Sequence, residues 1–494
     1  MQPLNFRNIR PWNGSQHGGF EELCCQLASC EQVLEADKFY RVGTPDAGVE
    51  CYWLLKDQTE WGWQAKYVFD VENSQWQQID ESVETALDKH ARLVRYTICL
   101  PIDRPDARIK GQKSSMDRWN ERVSKWKGWA ASRGMRVEFD YWGEHEIATR
   151  LTRNEHAGRR YFWFQQEEFS QHWFEQHFNE IRARVGPRYT RELHVELPIA
   201  EVFEGLGRTD SFSYRLRDLY GQLRRALEEL ETDLTPEAVM ATDRDRESLI
   251  QSTMRVLIAL APTSEDPFAP KPWETICEQS HHAIQAAFVC RHRLEQEEEL
   301  ARQQHGDKKE GESWQPQTGP VGTFRILRNR LFQLTKVLDR LVILAQSDMA
   351  KVANRPALLL IGNAGIGKTH LFSDVVRVRV EHGLPTVFLL GQDFFRDEPW
   401  AQILRRLHLQ CSRDEFLGAL DAVAQATGRR ALIFIDALND GEGRYLWENH
   451  LPSVLAVLHR YPRLGLAVSC RSSYEKVIIR DDLMPLYFPL RIAD

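Results

Sequence analysis

Three regimes of apolar spacing follow one another along the chain. From residue 1 to about 155, helix-like and strand-like segments interleave. Apolar residues three and four apart run through "GGFEELCCQLASC", "IDESVETALDKHARL", "SSMDRWNERVSKWKGWAASRG" and "GEHEIATRLTRN", which predicts helices. "GVECYWLL", "WGWQAKYVF", "LVRYTICLP" and "MRVEFDYW" are short and rich in aromatic and β-branched residues, which predicts strands. From 156 to 293 helical periodicity takes over, most clearly in "RLRDLYGQLRRALEEL" and "DRESLIQSTMRVLIAL". Residues 294–322 begin as a charged helix and end in Gly, Pro and polar residues, which predicts a linker. From 323 to 494 the apolar runs "ALLLI", "PTVFLLGQ", "RALIFIDAL" and "LGLAVSCRS" alternate with amphipathic stretches, the pattern of a parallel sheet covered on both faces. The expected fold is a multidomain α/β protein, with a small α/β unit, a helical connecting region, a linker and a second α/β unit.

Length and composition narrow the classes. A chain of 494 residues is too long for one core. With 42% hydrophobic and 27% charged residues it reads as globular, and it holds no run of roughly 18 apolar residues. The polar start "MQPLNFRNIRPWNG" is unlike a signal peptide, so a cytoplasmic location without membrane contact is expected. The nine cysteines lack paired metal-binding spacing and predict reduced, buried thiols. A formal charge of -7 argues against wholesale coating of nucleic acid. Locally, however, Arg104, Arg108, Lys110, Lys113, Arg118, Arg122, Lys125 and Lys127 face only Asp106, Asp117 and Glu121. That stretch reads equally as a nucleic-acid-facing patch or as a solvated helix face.

The sharpest chemistry is "GNAGIGKTH", Gly362 to His370. Gly362, Gly367, Lys368 and Thr369 match G-x-x-x-x-G-K-[ST], with Asn363, Ala364, Gly365 and Ile366 between. Glycines suit such a loop because backbone N–H groups must close around phosphate oxygens without Cβ atoms intruding. Lys368 would reach the β and γ phosphates, and Thr369 would hold Mg2+. A hydrophobic strand ending in Asp436 suits a carboxylate that holds the same ion. Asp440 is a candidate to orient an attacking water, and Ser469 and Arg471 to sense the γ-phosphate. Surface capping or a structural ion pair is the competing reading for Asp440 and Arg471. ATP and Mg2+ are the expected cofactors.

A second constellation lies in the hairpin of residues 43–69, where Gln64 and Lys66 stand two apart on one face of a strand. A half-buried lysine needs a carboxylate or a route to solvent. Glu50 on the opposing strand would supply the carboxylate, with Gln64 offering a carbonyl oxygen to Mg2+ and Lys66 steadying charge on a phosphorane. Glu21 on the preceding helix would add a carboxylate. Asp46, in the Gly-rich turn, is the competing metal acid or a simple turn residue.

Two resemblances rest on these residues. "IGNAGIGKTHL", "LIFIDALND" and "LAVSCRSSYE" resemble the STAND class of signalling NTPases, in particular its antiviral AVAST-type members, over residues 323–494. In that class a winged-helix segment and a helical-repeat sensor follow the nucleotide core, which implies that the sequence ends before them. "GFEELC", "GTPDAGVE" and "WQAKY" resemble the Mrr-like branch of the PD-(D/E)xK nucleases over residues 15–150, with Glu50 where Asp is usual. Together they imply domains at 1–155 (a restriction-endonuclease-like nuclease), 156–293, 294–322 and 323–494. The implied function is antiviral defence. A phage structural protein, a terminase or portal subunit, would trigger the ATP switch. A homo-oligomer, a tetramer, would then assemble and cut double-stranded DNA. An NTP-dependent restriction endonuclease and a signalling scaffold with an inactive nuclease domain are the alternatives.

Overall fold

The computed structural model describes residues 4–43, 47–105, 113–165, 168–186, 199–231, 236–261, 266–306, 320–479 and 486–492. The first unit runs α1 (Gln16–Ala28), β1 (Ala36–Arg41), β2 (Cys51–Leu55), β3 (Glu60–Ala65), α2 (Asn73–Lys89), β4 (Leu93–Cys99), α3 (Ser115–Ser132), β5 (Glu138–Trp142), α4 (Glu144–Leu151) and α5 (Ala157–Phe164). Its sheet has the order β1-β2-β3-β4-β5. The first three strands form an antiparallel meander, and β4 and β5 continue it parallel to β3. Local chemistry fixes the helix starts. Ser114 and Asp117 form a reciprocal capping box at α3, satisfying two N–H groups that the helix leaves open.

The two faces of this sheet bury different cores. Cys51, Trp63, Ala65 and Cys99 pack with Phe20, Leu23, Cys24 and Leu27 of α1. Tyr96 and Ile98 pack with Trp76, Ile79 and Val83 of α2 and with Trp119 and Trp126 of α3. The period-two alternation of strands then assigns Gly62 and Gln64 to the α2–α3 face.

The helices between the units are α6 (Gln171–Val185), α7 (Ala200–Gly207), α8 (Asp210–Glu231), α9 (Pro236–Leu260), α10 (Trp273–Gly306), α11 (Pro320–Gln346) and α12 (Asp348–Asn354). Helices α8 to α11 share one core, including Leu219, Leu223, Val256, Ile276, Leu294, Leu331 and Leu338. This corrects the expected linker. Residues 294–306 are the end of α10, with Leu294 fully buried and Glu298 4% exposed. Arg328 of α11 donates to Glu298 at 2.7 Å, so a carboxylate that reads as solvated is neutralised inside the bundle. Residues 307–319 lie outside the described residues.

The second sheet begins at Ala357, where "ALLLI" predicts its first strand, while α11 and α12, inside the unit expected from 323, pack in the helical core. Its elements are β6 (Ala357–Gly362), α13 (Lys368–Glu381), β7 (Thr386–Leu390), α14 (Pro399–Arg406), α15 (Arg413–Thr427), β8 (Ala431–Asp436), α16 (Gly443–Leu458), β9 (Leu464–Arg471), α17 (Glu475–Ile478) and β10 (Phe488–Arg491). All neighbouring strands are parallel, in the order β10-β6-β9-β8-β7. Every residue of β6, β7 and β8 is buried, as continuous apolar runs require.

The two α/β units meet in a common seam. Helix α15 covers one face of the second sheet with Leu417, Leu420 and Val423, and packs on its far side against α5 and α1. Gly158 of α5 and Gly418 of α15 cross in backbone contact: a Cβ at Gly158 would lie 2.2 Å from the Gly418 Cα. Gln26 of α1 is fully buried there, donating to the Ala422 carbonyl at 3.0 Å and accepting from Trp163 Nε1 at 3.2 Å. Gln425 of α15 donates to Ser29 Oγ and accepts from Arg159, each at 3.1 Å.

Candidate functional sites

The glycine loop leaves β6 at Gly362 and enters α13 at Lys368. Gly365 and Gly367 have φ of +82° and +92°, which side-chain-bearing residues resist, so the loop depends on both. Asn363, Ala364, Gly365 and Gly367 face solvent, while Ile366 and His370 are half-buried. Lys368 is 8% exposed, and its Nζ donates to the carbonyls of Gly362 at 2.7 Å and Asn363 at 2.6 Å. Burial lowers the Lys368 pKa, and Asp436 opposes that shift.

Asp436, at the carboxyl end of β8, is 2% exposed. It accepts from Thr369 Oγ1 and from Ser469 Oγ, both at 2.6 Å. Burial raises its pKa, while those two hydrogen bonds and Lys368 hold the rise back. Ser469 also accepts the Ala437 N–H at 2.7 Å. Because β9 runs between β6 and β8, its polar end enters between the glycine loop and the carboxylate. There the Arg471 guanidinium donates to Asp440 Oδ1 at 3.1 Å.

Asn439, which spacing did not single out, holds this pair. It is 6% exposed, accepts the Arg471 N–H at 2.9 Å and donates to Asp440 Oδ1 at 2.9 Å. The available signal was an amide between two acids in "IDALND". Lys368, Thr369, Asp436, Asp440 and Arg471 thus come together at one sheet edge, where parallel strands leave a crevice at their carboxyl ends. A cation, a hydroxyl and a carboxylate beside a glycine cradle suit a nucleoside triphosphate with its Mg2+. Lys368 would exchange two loop carbonyls for phosphate oxygens.

In the first unit the structure joins Glu50 and Gln64. Glu50 precedes β2 by one residue and donates its N–H to the Trp63 carbonyl at 2.8 Å. Its Oε1 accepts from Gln64 Nε2 at 2.6 Å, and Gln64 is 1% exposed. With the amide nitrogen turned to the carboxylate, Gln64 presents a donor where a metal needs an oxygen; holding Mg2+ would require the amide to rotate. Lys66 is half-buried one residue past β3, its N–H bonded to the Cys99 carbonyl at 2.9 Å.

The other predicted residues separate. Glu21 sits on α1, which covers the opposite face of the sheet, and pairs with His17 at 3.2 Å. Asp46, Arg108 and Lys110 lie outside the described residues. Among the described residues no cluster of three or more His, Cys, Asp or Glu side chains forms a metal cage. The basic stretch is partly neutralised, since Arg122 and Lys125 both bind Asp80 and Lys113 binds Glu121 at 2.6 Å.

All nine cysteines are free thiols, most of them buried. No helix among the described residues is long and apolar enough to cross a membrane. Comparison with protein-family models and with curated proteins finds no significant match for this chain.

Proposed function

We propose that the chain is a nucleotide-controlled DNA endonuclease of antiviral defence, with a STAND-like switch in residues 357–491 and a nuclease in the first unit. The convergence of Lys368, Thr369, Asp436, Asp440 and Arg471 at the carboxyl ends of β6, β8 and β9 carries the nucleotide half. Lys368 and the loop amides would hold the phosphates, and Thr369 and Asp436 the Mg2+. Asp440, steadied by Arg471 and Asn439, would orient the attacking water. Bound Mg2+ would supply charge neutralisation between phosphates.

The nuclease half rests on Glu50 and Gln64 facing each other across β2 and β3, with Lys66 next along the strand. Lys66 would stabilise charge on the scissile phosphate, and Glu50 would help to hold Mg2+ once the Gln64 amide has turned. A phage structural protein, by resemblance a terminase or portal subunit, would trigger assembly into a homo-oligomer, a tetramer in the same reading. One observation favours the alternative of a scaffold with an inactive nuclease: the Glu50 carboxylate is paired with an amide, Gln64, rather than with a second acid.

The full chain, incubated with ATP, Mg2+ and plasmid DNA in the presence of candidate phage proteins, tests both halves. Lys368→Ala should weaken ATP binding about a hundredfold, the effect of losing charge-assisted phosphate contacts. Unchanged binding would sink the nucleotide site. Lys66→Ala should abolish DNA degradation and leave ATP binding intact; undiminished degradation would refute the hairpin site.

A further inference from the structure

A cavity of about 430 Å³ opens at the carboxyl ends of β3, β4 and β5. Its walls include Phe69, Trp76, Tyr141, Asp103, Arg104 and Glu144. Three observations give it a chemical character. First, the Trp76 side chain is 6% exposed, and its Nε1–H is buried with no hydrogen-bond partner among the described residues. An unpaired buried donor of this kind is unfavourable, and an acceptor on a ligand would relieve it. Second, the Arg104 guanidinium lies over the Tyr141 ring at 4.0 Å and within 5.2 Å of the Trp119 ring, a planar cation held against an aromatic pair. Burial lowers its pKa. Third, acceptors share the cavity. Asp103 already takes the His145 N–H at 2.9 Å on Oδ1, and Glu144 and Asp70 are exposed at the rim.

Aromatic walls with both donors and carboxylate acceptors around them match the edge of a heterocycle that carries ring acceptors and exocyclic amino groups. A bare phosphate would meet three carboxylates against the guanidinium groups of Arg104 and Arg118, and a lipid chain would bury charged groups. Position selects the source. Phe69 lies three residues after Lys66, and Leu100 follows Cys99, whose carbonyl holds the Lys66 N–H. Trp76, Leu100 and Tyr141 belong to the α2–α3 face that also carries Gln64.

We propose that this cavity is a nucleobase pocket that takes one unstacked base of a nucleic-acid strand beside the phosphodiester held at Glu50, Gln64 and Lys66. It rests on the nuclease reading for its position, while its ligand chemistry rests on the cavity alone.

The test uses the full chain without Mg2+, so that no cleavage is needed. Deoxynucleoside monophosphates and short single-stranded homo-oligonucleotides of each base are titrated by calorimetry. Oligonucleotides should bind with a preference for one base. Trp76→Phe, which keeps the ring and removes the donor, should weaken that preferred binding about tenfold, the equivalent of one buried hydrogen bond. Arg104→Met should weaken it as well, with thermal midpoints checking that both variants fold. Equal affinity for every base, or a base preference untouched by both variants, would overturn the pocket. Monophosphate binding that matches the oligonucleotides and resists Lys66→Ala would overturn the strand source. Undiminished DNA degradation by Lys66→Ala, with base preference intact, would remove the hairpin nuclease site and leave the pocket standing.

Discussion

Gly158→Ala offers the most direct test of how the two α/β units are joined. The added methyl would sit 2.2 Å from the Gly418 Cα, about 1.2 Å short of ordinary contact at 3.4 Å. The obstructing atoms are backbone, so no side chain can rotate aside, and α5 and α15 must separate. Separation strains what flanks the crossing: Phe162 and Trp163 on α5, Phe416, Leu417 and Leu420 on α15, all at or near zero exposure. It also stretches the Arg159 to Gln425 bond of 3.1 Å and the Gln26 to Ala422 bond of 3.0 Å toward the limit of hydrogen bonding. Overpacking typically costs about 1–3 kcal/mol, and a backbone-to-backbone clash belongs at the upper end. For a cooperative unit of 150–250 residues, that corresponds to a midpoint lower by roughly 6–12 °C. Gly128→Ala in α3 supplies the control, since nothing lies within 4 Å of its Cβ and the position is exposed. The same substitution should there stabilise by about 0.4–1 kcal/mol, by restricting the unfolded chain and favouring helix. Thermal unfolding of the two variants should shift in opposite directions. Equal shifts, or an unchanged midpoint for Gly158→Ala, would refute the close crossing.

Three further outcomes follow from the geometry. His177 of α6 donates from Nε2 to the Phe388 carbonyl of β7 at 2.8 Å, and burial lowers its pKa to about 4. The unfolded chain therefore binds this proton first, near the ordinary value of about 6.5, and stability falls as pH drops from there to about 4. The loss amounts to roughly 3 kcal/mol, and His177→Phe should flatten that limb of a stability–pH profile measured by denaturant unfolding. Arg471→Ala should cut ATP turnover by about a hundredfold with ATP affinity nearly kept, because it frees Asp440 while leaving Lys368 and Thr369 in place; equal turnover in both proteins would show that Arg471 is only a surface ion pair. The raised pKa of Asp436 means that its charge costs stability above that pKa, so Asp436→Asn should unfold no earlier than the parent at neutral pH while losing Mg2+-dependent nucleotide binding in calorimetry.

The sequence made the second sheet legible because strands buried on both faces leave near-continuous apolar runs, as in β6, β7 and most of β8. Strand β1, "ADKFYR", escaped because it is an edge strand, mostly half-buried, with charged residues along it. The end of α10 falls inside the expected linker because the Gly, Pro and polar residues that suggest one follow it directly, whereas Glu298 is paired inside the bundle by a residue 30 positions away. At the glycine loop the order of motifs is enough to bring Thr369 to Asp436, but Asn439 and the Lys368 carbonyl contacts depend on how β9 inserts between β6 and β8. At the hairpin, period two placed Glu50 opposite Gln64, while the orientation of the amide is set by hydrogen bonding that no spacing encodes.

The seam also constrains how a nucleotide could govern the first unit. Helix α15 lies on β8 and β9, the strands that carry Asp436 and Ser469, and on its other side meets α5 and α1. Helix α1 in turn covers Trp63 and Ala65 of β3, whose alternate residue is Gln64. Phe20, Trp163, Phe416 and Ile433 belong to one continuous core, so the two sheets are coupled through packed side chains. Gln26, at the centre of the seam, donates across it to the Ala422 carbonyl while accepting from Trp163 of its own unit, and opening would expose that donor and the apolar residues around it together. Under the proposed function, control would therefore act by moving α15, α5 and α1 as one body, which aligns whole chains against each other. Amide exchange across Ala419–Ala424 and Phe162–Trp163 should be equally slow with and without ATP, and faster exchange on ATP addition would mean that the seam opens.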